Sequence, residues 1–281
     1  MSALPAELKP IRGPSALGGD WRRFAALTWT LAVTEFRLKF FGSVLGYFWQ
    51  LMKPLLLFGV LYVVFTEFVR LGGGVPHYPA VLLMGIVIHQ FYAEATSGSV
   101  GSVLARENLV RKIHFPRLVI PLAVVLTTYL NFVLNFLAVF VFLLLQGVEI
   151  RWTWLEIVPL ILLLGLFCTG IAMALSALFV RYRDVQPIWD VALPVVFYGT
   201  PILYPIESIP DEKVQHLLMC NPLACIIQQA RHALIDPHAA SAAQAIGGAP
   251  RLLIPLGIVV AVCATGYWIF NRSAPRIAED L

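Results

Sequence analysis

The chain has 281 residues, of which 59% are hydrophobic and 13% charged, and its formal net charge is +4. A soluble domain carries roughly 45–50% apolar and about 25% charged residues, so this excess exceeds any core and requires lipid around it. The positive balance does not make a nucleic-acid patch, because Lys and Arg are scattered through the short gaps between apolar runs.

Residues 1–19 are punctuated by Pro5, Pro10, Gly13, Pro14 and Gly18 and hold no central apolar stretch, so they read as a flexible tail rather than a cleavable signal. Residues 20–41 follow as an amphipathic helix predicted to lie in the membrane surface. Trp21, Phe24, Leu27, Thr28, Leu31 and Leu38 share one face, with Arg22, Arg23, Thr30 and Arg37 opposite. Glu35 breaks the pattern by falling on the apolar face.

A hydrocarbon core about 30 Å thick needs about 20 apolar helical residues. Six runs are predicted to cross: Gly42–Val69, Pro79–Leu104, Leu118–Leu145, Leu155–Val180, Pro187–Tyr204 and Leu252–Phe270. Pro194 and Pro201 interrupt the fifth run, which such residues kink. Between the fifth and sixth runs, Val214–Met219 and Leu223–Leu234 are apolar but too short to cross. They read as short re-entrant helices in an outer gate segment, 205–251, whose Ala-rich end, Ala239–Ala249, reads as a solvated connector. The fold class is therefore an all-α polytopic membrane protein, with its transmembrane domain over 42–272 and a tail at 273–281. With both termini inside, fourteen Lys and Arg residues fall in inner segments and five in outer ones, and Lys53 lies at the mouth of the first span.

The sequence contains no GxxxxGK[ST] loop, no HExxH, no GxSxG and no Gly-rich dinucleotide turn, so nothing in it can hydrolyse ATP. The four cysteines form no CxxC pattern. Cys220 and Cys225, five apart on one helix, would point away from each other. Asn131 and Asn135, four apart in the third span with Thr127 one turn earlier, form a polar stripe suited either to interhelical hydrogen bonds or to lining a polar path. His89 and Glu94 are five apart and do not stack, which argues against a proton relay. Phe197, Tyr198 and Tyr204 belong to an aromatic belt near the outer ends of spans, or to a channel lining. In the inner loop, Leu109, Val110, Ile113 and Phe115 give a short charged segment an apolar face that suits a groove on a cytoplasmic partner.

Five motifs, in this order, carry a family resemblance. They are Ser43-Val44-Leu45-Gly46-Tyr47-Phe48-Trp49 with Lys53-Pro54; Asn108-Leu109-Val110-Arg111-Lys112-Ile113-His114-Phe115-Pro116-Arg117; Arg181-Tyr182-Arg183-Asp184; Thr200-Pro201-Ile202-Leu203-Tyr204-Pro205; and Asn221-Pro222-Leu223. The chain, from about Trp21 to Phe270, resembles type 2 ABC transporter permeases, specifically the polysaccharide and polyol-phosphate export branch with the O-antigen and teichoic-acid exporters. The resemblance implies a homodimer of six-helix subunits in a bacterial cytoplasmic membrane, bound to two copies of a separate ATPase. That partner would use ATP and magnesium, while this chain would hold no cofactor or metal. Residues Asn108–Pro116 would contact the ATPase. Arg37, Lys39, Arg181, Arg183 and Asp184 would form the cytoplasmic base near a lipid diphosphate, and the segment after Tyr204 would form the outer gate. The substrate implied is a lipid-linked glycan, with a small drug or lipid as the alternative. An intramembrane enzyme, the rival from another class, would have only Glu67, Glu94 and Asp190 as acidic candidates.

Overall fold

The computed structural model describes residues 21–40, 45–69, 75–107 and 115–274, apart from the side chains of Phe40 and Tyr47. The expected tail at 1–19, most of that at 273–281, and residues 108–114 of the inner loop lie outside them. Every regular element among the described residues is helical. In chain order these are α1 (Trp21–Phe40), α2 (Gly46–Val63), α3 (Tyr78–Val100), α4 (Val119–Leu145), α5 (Ile157–Arg181), α6 (Val185–Tyr198), α7 (Glu212–Met219), α8 (Pro222–Leu234), α9 (Ala242–Ala245) and α10 (Leu253–Ser273). A five-residue π-turn, Val64–Phe68, prolongs α2, and 3-10 turns at Trp152–Glu156 and Ala249–Leu252 lead into α5 and α10.

Among the described residues, five helical stretches are long and apolar enough to cross a bilayer: Phe48–Phe68, Tyr78–Val100, Val119–Leu145, Trp152–Arg181 and Ala249–Ser273. The fifth predicted span, Pro187–Tyr204, differs from expectation. Its helix, α6, has 14 residues, which at a rise of about 1.5 Å each reach about 21 Å, short of the hydrocarbon thickness. Helix α6 carries Pro194 inside it and stops at Gly199, where the chain turns through Thr200-Pro201 with the Ile202 amide donating to the Thr200 carbonyl at 2.7 Å.

Helix α3 is the hub. Within its candidate span 72% of the residues are buried, against 6% for α2. It starts sharply, with His77 in the left-handed region and Pro79 in its first turn, and it packs against α2, α4, α5, α6 and α8. The turn after α6 folds back onto it. Gly85 leaves room for Ile202, whose Cγ2 would lie 3.0 Å from a Cβ there, and the Tyr78 hydroxyl donates to the Leu203 carbonyl at 2.8 Å.

A second apolar cluster closes the basic end of the bundle. It joins Phe24 of α1 to Leu118, Val119 and Ile120 at the start of α4, to Met173, Ala177 and Val180 of α5, and to Phe270 of α10. Within α1 the buried residues are Phe24, Thr28 and Ala32, whereas Trp21 and Leu38, expected on the apolar face, are exposed to the surroundings of the protein. The helix thus packs a narrow stripe on α4.

At the opposite end α7, α8 and α9 gather over a third cluster of Ile206, Met219, Ala224, Cys225, Ala242, Ala245 and Ile246. The two expected short helices are α7 and α8. The expected solvated connector at Ala239–Ala249 is corrected here. Ser241 and Gln244 form a reciprocal capping box that starts α9, and the small side chains of Ala242 and Ala245 let that turn pack against Ile206 and Met219. All four cysteines are free thiols.

Candidate functional site

Two ion pairs of opposite sense join α1 to the segment around the end of α3. Glu35 and Lys39 are one turn apart on α1 and face the same way. The Arg106 guanidinium donates to the Glu35 carboxylate, and the Lys39 ammonium lies 3.8 Å from Glu94 Oε2. Glu94 Oε1 also accepts from Gln90 Nε2 at 3.0 Å. The misplaced acid on the apolar face of α1 is thereby explained: its partner lies 71 residues away.

Behind these pairs is a cavity of about 540 Å³. Lys53 enters it from α2, Glu94, Ser97 and Gly98 from α3, Thr127, Thr128 and Asn131 from α4, and Leu193 from α6, with Glu35 and Lys39 from α1. The Thr127 hydroxyl lies 3.1 Å from the Ala32 carbonyl of α1 and 2.8 Å from that of Ala123. Asn131 is only 2% exposed, and the Oδ1 atoms of Asn131 and Asn135 have no hydrogen-bond partner among the described residues. Of the predicted polar stripe, Asn131 and Thr127 line the cavity and Asn135 does not. Two of the three acids considered for an intramembrane enzyme, Glu67 and Asp190, are likewise absent from its lining.

The remaining predicted groups sit apart from it. Phe115 packs beside Leu27 and Leu31 and lines a separate groove of about 260 Å³ with Arg23, Thr30, Thr34 and Val119. Pro116 presents its carbonyl to the Val119 amide at 3.1 Å, starting α4. Asn108, Leu109, Val110, Arg111, Lys112, Ile113 and His114 lie outside the described residues. Arg181 and Arg183 stack on aromatic rings, 5.5 Å from the Tyr182 centroid and 5.1 Å from that of Phe179, and Asp184 accepts the Ile188 amide through its carbonyl at 3.1 Å to open α6. Neither arginine lines the cavity, and Arg37 is exposed in the last turn of α1. Phe197, Tyr198 and Tyr204 do come together. Phe197 meets His89 edge-on at 4.8 Å and Tyr198 at 5.3 Å, and the Tyr204 hydroxyl donates to the Tyr198 carbonyl at 3.2 Å.

Sequence reasoning missed the two ion pairs and the buried Arg117, whose guanidinium donates to the Ala274 carbonyl after the last span. The one available signal was Glu35 on an apolar face. Among the described residues no group of three or more His, Cys, Asp or Glu is placed to hold a metal.

Several bilayer-length helices packed around a buried hub, with charged and amide groups lining an open cavity among them, define a multi-pass helical membrane protein. The chain belongs to the ABC-2 type transporter family, whose model matches residues 26–235. It is 30% identical over 248 residues to the O-antigen export system permease protein RfbA of Klebsiella pneumoniae, covering 88% of this chain and 92% of that one. It is 29% identical over 209 residues to the RfbA permease of Myxococcus xanthus, covering 73% and 78% of the two chains. The polysialic acid transport protein KpsM of Escherichia coli is 24% identical over 216 residues, covering 73% and 80%.

Proposed function

We propose that this chain is the membrane-spanning permease subunit of an ATP-driven exporter that moves a lipid-linked polysaccharide, of the O-antigen kind, outward across a bacterial cytoplasmic membrane. The observation that carries this reading is the near full-length similarity to O-antigen export permeases. The chain has no phosphate-binding loop, so the energy enters through a separate ATPase. Asn108–Pro116 is the segment on which that partner acts; in the sequence it follows Arg106 by one residue and includes Phe115 of the groove.

In this reading the basic end faces the cytoplasm, as the Lys and Arg bias favours. Helix α6 and the turn through Tyr204 form the fifth of six crossings, and α7 and α8 are re-entrant. The exposed apolar faces of α2 and of α6, including Leu56, Val60, Ile188, Val191 and Val195, pair with those of a second copy and leave a path between the subunits. Arg37, Arg181, Arg183 and Asp184 form the rim that meets the lipid diphosphate, whereas Lys39 is engaged by Glu94. Phe197, Tyr198 and Tyr204 form the outer gate with the segment that follows.

The test is co-expression with the ATPase of the same export locus in a strain lacking this permease. The ATPase should co-purify with the chain, and surface glycan should return. Arg111→Glu combined with Lys112→Glu should weaken both. Glycan export that continues with no nucleotide-binding protein attached, and that tolerates the double reversal, would overturn the proposal.

A further inference from the structure

We propose that the cavity between α1, α2, α3 and α4 holds the headgroup of a zwitterionic aminophospholipid, phosphatidylethanolamine, drawn from the leaflet at the basic end of the bundle. Its volume, about 540 Å³, falls within the roughly 300–1,000 Å³ of ligand pockets. The polar and charged side chains in it come from bilayer-length helices and from α1, so the occupant is a membrane component.

The charges select the ligand. Lys39 and Lys53 stand with Glu35 and Glu94, so the lining carries both signs, and Arg106 outside it already holds Glu35. A diphosphate would press several negative charges on two carboxylates, and a simple cation would face two ammonium groups. A zwitterion matches both signs. Lys53 is exposed at the rim and has no ion-pair partner among the described residues. It suits a phosphodiester.

Asn131 is a buried member of the lining, and its acceptor oxygen receives no hydrogen bond among the described residues. A buried orphan acceptor needs a donor. Glu94, in the same lining, has its Oε2 3.8 Å from Lys39, beyond hydrogen-bond reach and open to another donor. A primary ammonium brings three N–H donors to these acceptors. The quaternary ammonium of phosphatidylcholine brings none, and phosphatidylglycerol brings no positive charge.

The experiment is native mass spectrometry of the full chain after exposure to an equimolar mixture of phosphatidylethanolamine, phosphatidylcholine and phosphatidylglycerol with identical acyl chains. Phosphatidylethanolamine should be retained about tenfold over either competitor, the ratio expected when charge-assisted hydrogen bonds are present in one ligand and missing in the others. Glu94→Gln and Asn131→Leu, which alter the acceptors of the ammonium, should each remove that preference, whereas Lys53→Met should lower retention of all three lipids together, because each carries a phosphodiester. Because Asn131→Leu could impair folding, the partly exposed Glu94→Gln variant carries the test if the other protein is not recovered. Equal retention of phosphatidylcholine, greater retention of phosphatidylglycerol, or an unchanged preference in Glu94→Gln would each overturn the site. Retention is read without ATP or glycan, so its failure is separate from any failure of the export reading.

Discussion

Gly170 of α5 and Gly266 of α10 face each other where the two helices cross. A Cβ built on Gly266 would overlap the carbonyl oxygen of Gly170, and one on Gly170 would come within 2.9 Å of the Cys263 amide nitrogen. In lipid, helices associate by close packing rather than by excluding water, and small residues let backbones approach. Gly266→Val should therefore force the pair apart and cost about 1–3 kcal/mol. Gly257, on the same helix, has nothing within 4 Å of its Cβ position, so Gly257→Ala should be neutral or stabilise by about 0.5–1 kcal/mol. Thermal unfolding in detergent reads both, and equal melting temperatures would show that the crossing is not tight.

The Glu35–Arg106 pair is partly enclosed, with side chains 23% and 21% exposed. Glu35→Gln and Arg106→Gln should each lower stability, and the double variant should fall short of their sum by about 1 kcal/mol or more, as contacting partners do. The charge swap Glu35→Arg with Arg106→Glu should recover part of the loss. Strict additivity in the cycle would show that the pair contributes nothing.

In the far segment, Arg231 is buried and donates to Glu207 Oε2 at 2.9 Å. Burial pushes the Glu207 carboxyl up. Hydrogen bonds from its own backbone, from Arg231 and from the Ala240 amide outweigh this, as does the Arg231 charge, and hold it below the usual carboxylate range. A carboxyl depressed in the folded state contributes stability above its unfolded pKa and loses it as pH falls through the folded one. The segment should loosen in acid below about pH 4, read by hydrogen exchange at α7–α9. Glu207→Gln should bring that loosening to neutral pH, at about 2 kcal/mol, because the guanidinium keeps its burial and loses its charged acceptor. Exchange in the variant that matches the parent at every pH would refute this.

Helix α6 buries only Phe197, and its Trp189 indole N–H donates to the Thr96 hydroxyl of α3 at 3.0 Å. Trp189→Phe should remove about 1 kcal/mol and increase labelling of a cysteine placed at exposed Val191, while Ile188→Leu, at an exposed neighbour, should leave labelling unchanged. Labelling that rises equally in both would mean that the indole bond does not hold the helix.

Much of the helical layout was legible because it depends on local properties. Run length, the proline and glycine breaks and the placement of Lys and Arg are read along one strand of sequence, and they located five bilayer-length helices and both short helices after Tyr204. The broken fifth run was visible through Pro194 and Pro201, but the stop at Gly199 follows from the turn docking on Gly85 and Tyr78 of another helix. The Ala-rich connector looked solvated because alanines give weak periodicity. It packs because its capping box shapes a turn that small side chains can bring close.

The sequence by itself determined a multi-pass helical protein without a nucleotide-binding loop, and its ordered motifs determined the family. Tertiary structure alone decided which polar groups meet: Glu35 with Arg106, Lys39 with Glu94, and Asn131 with an open cavity rather than with a neighbouring side chain. Periodicity gives the face a residue occupies on its own helix. The rotation of each helix about its axis and the crossing of one on another are set by long-range packing, and these decide whether two such faces touch.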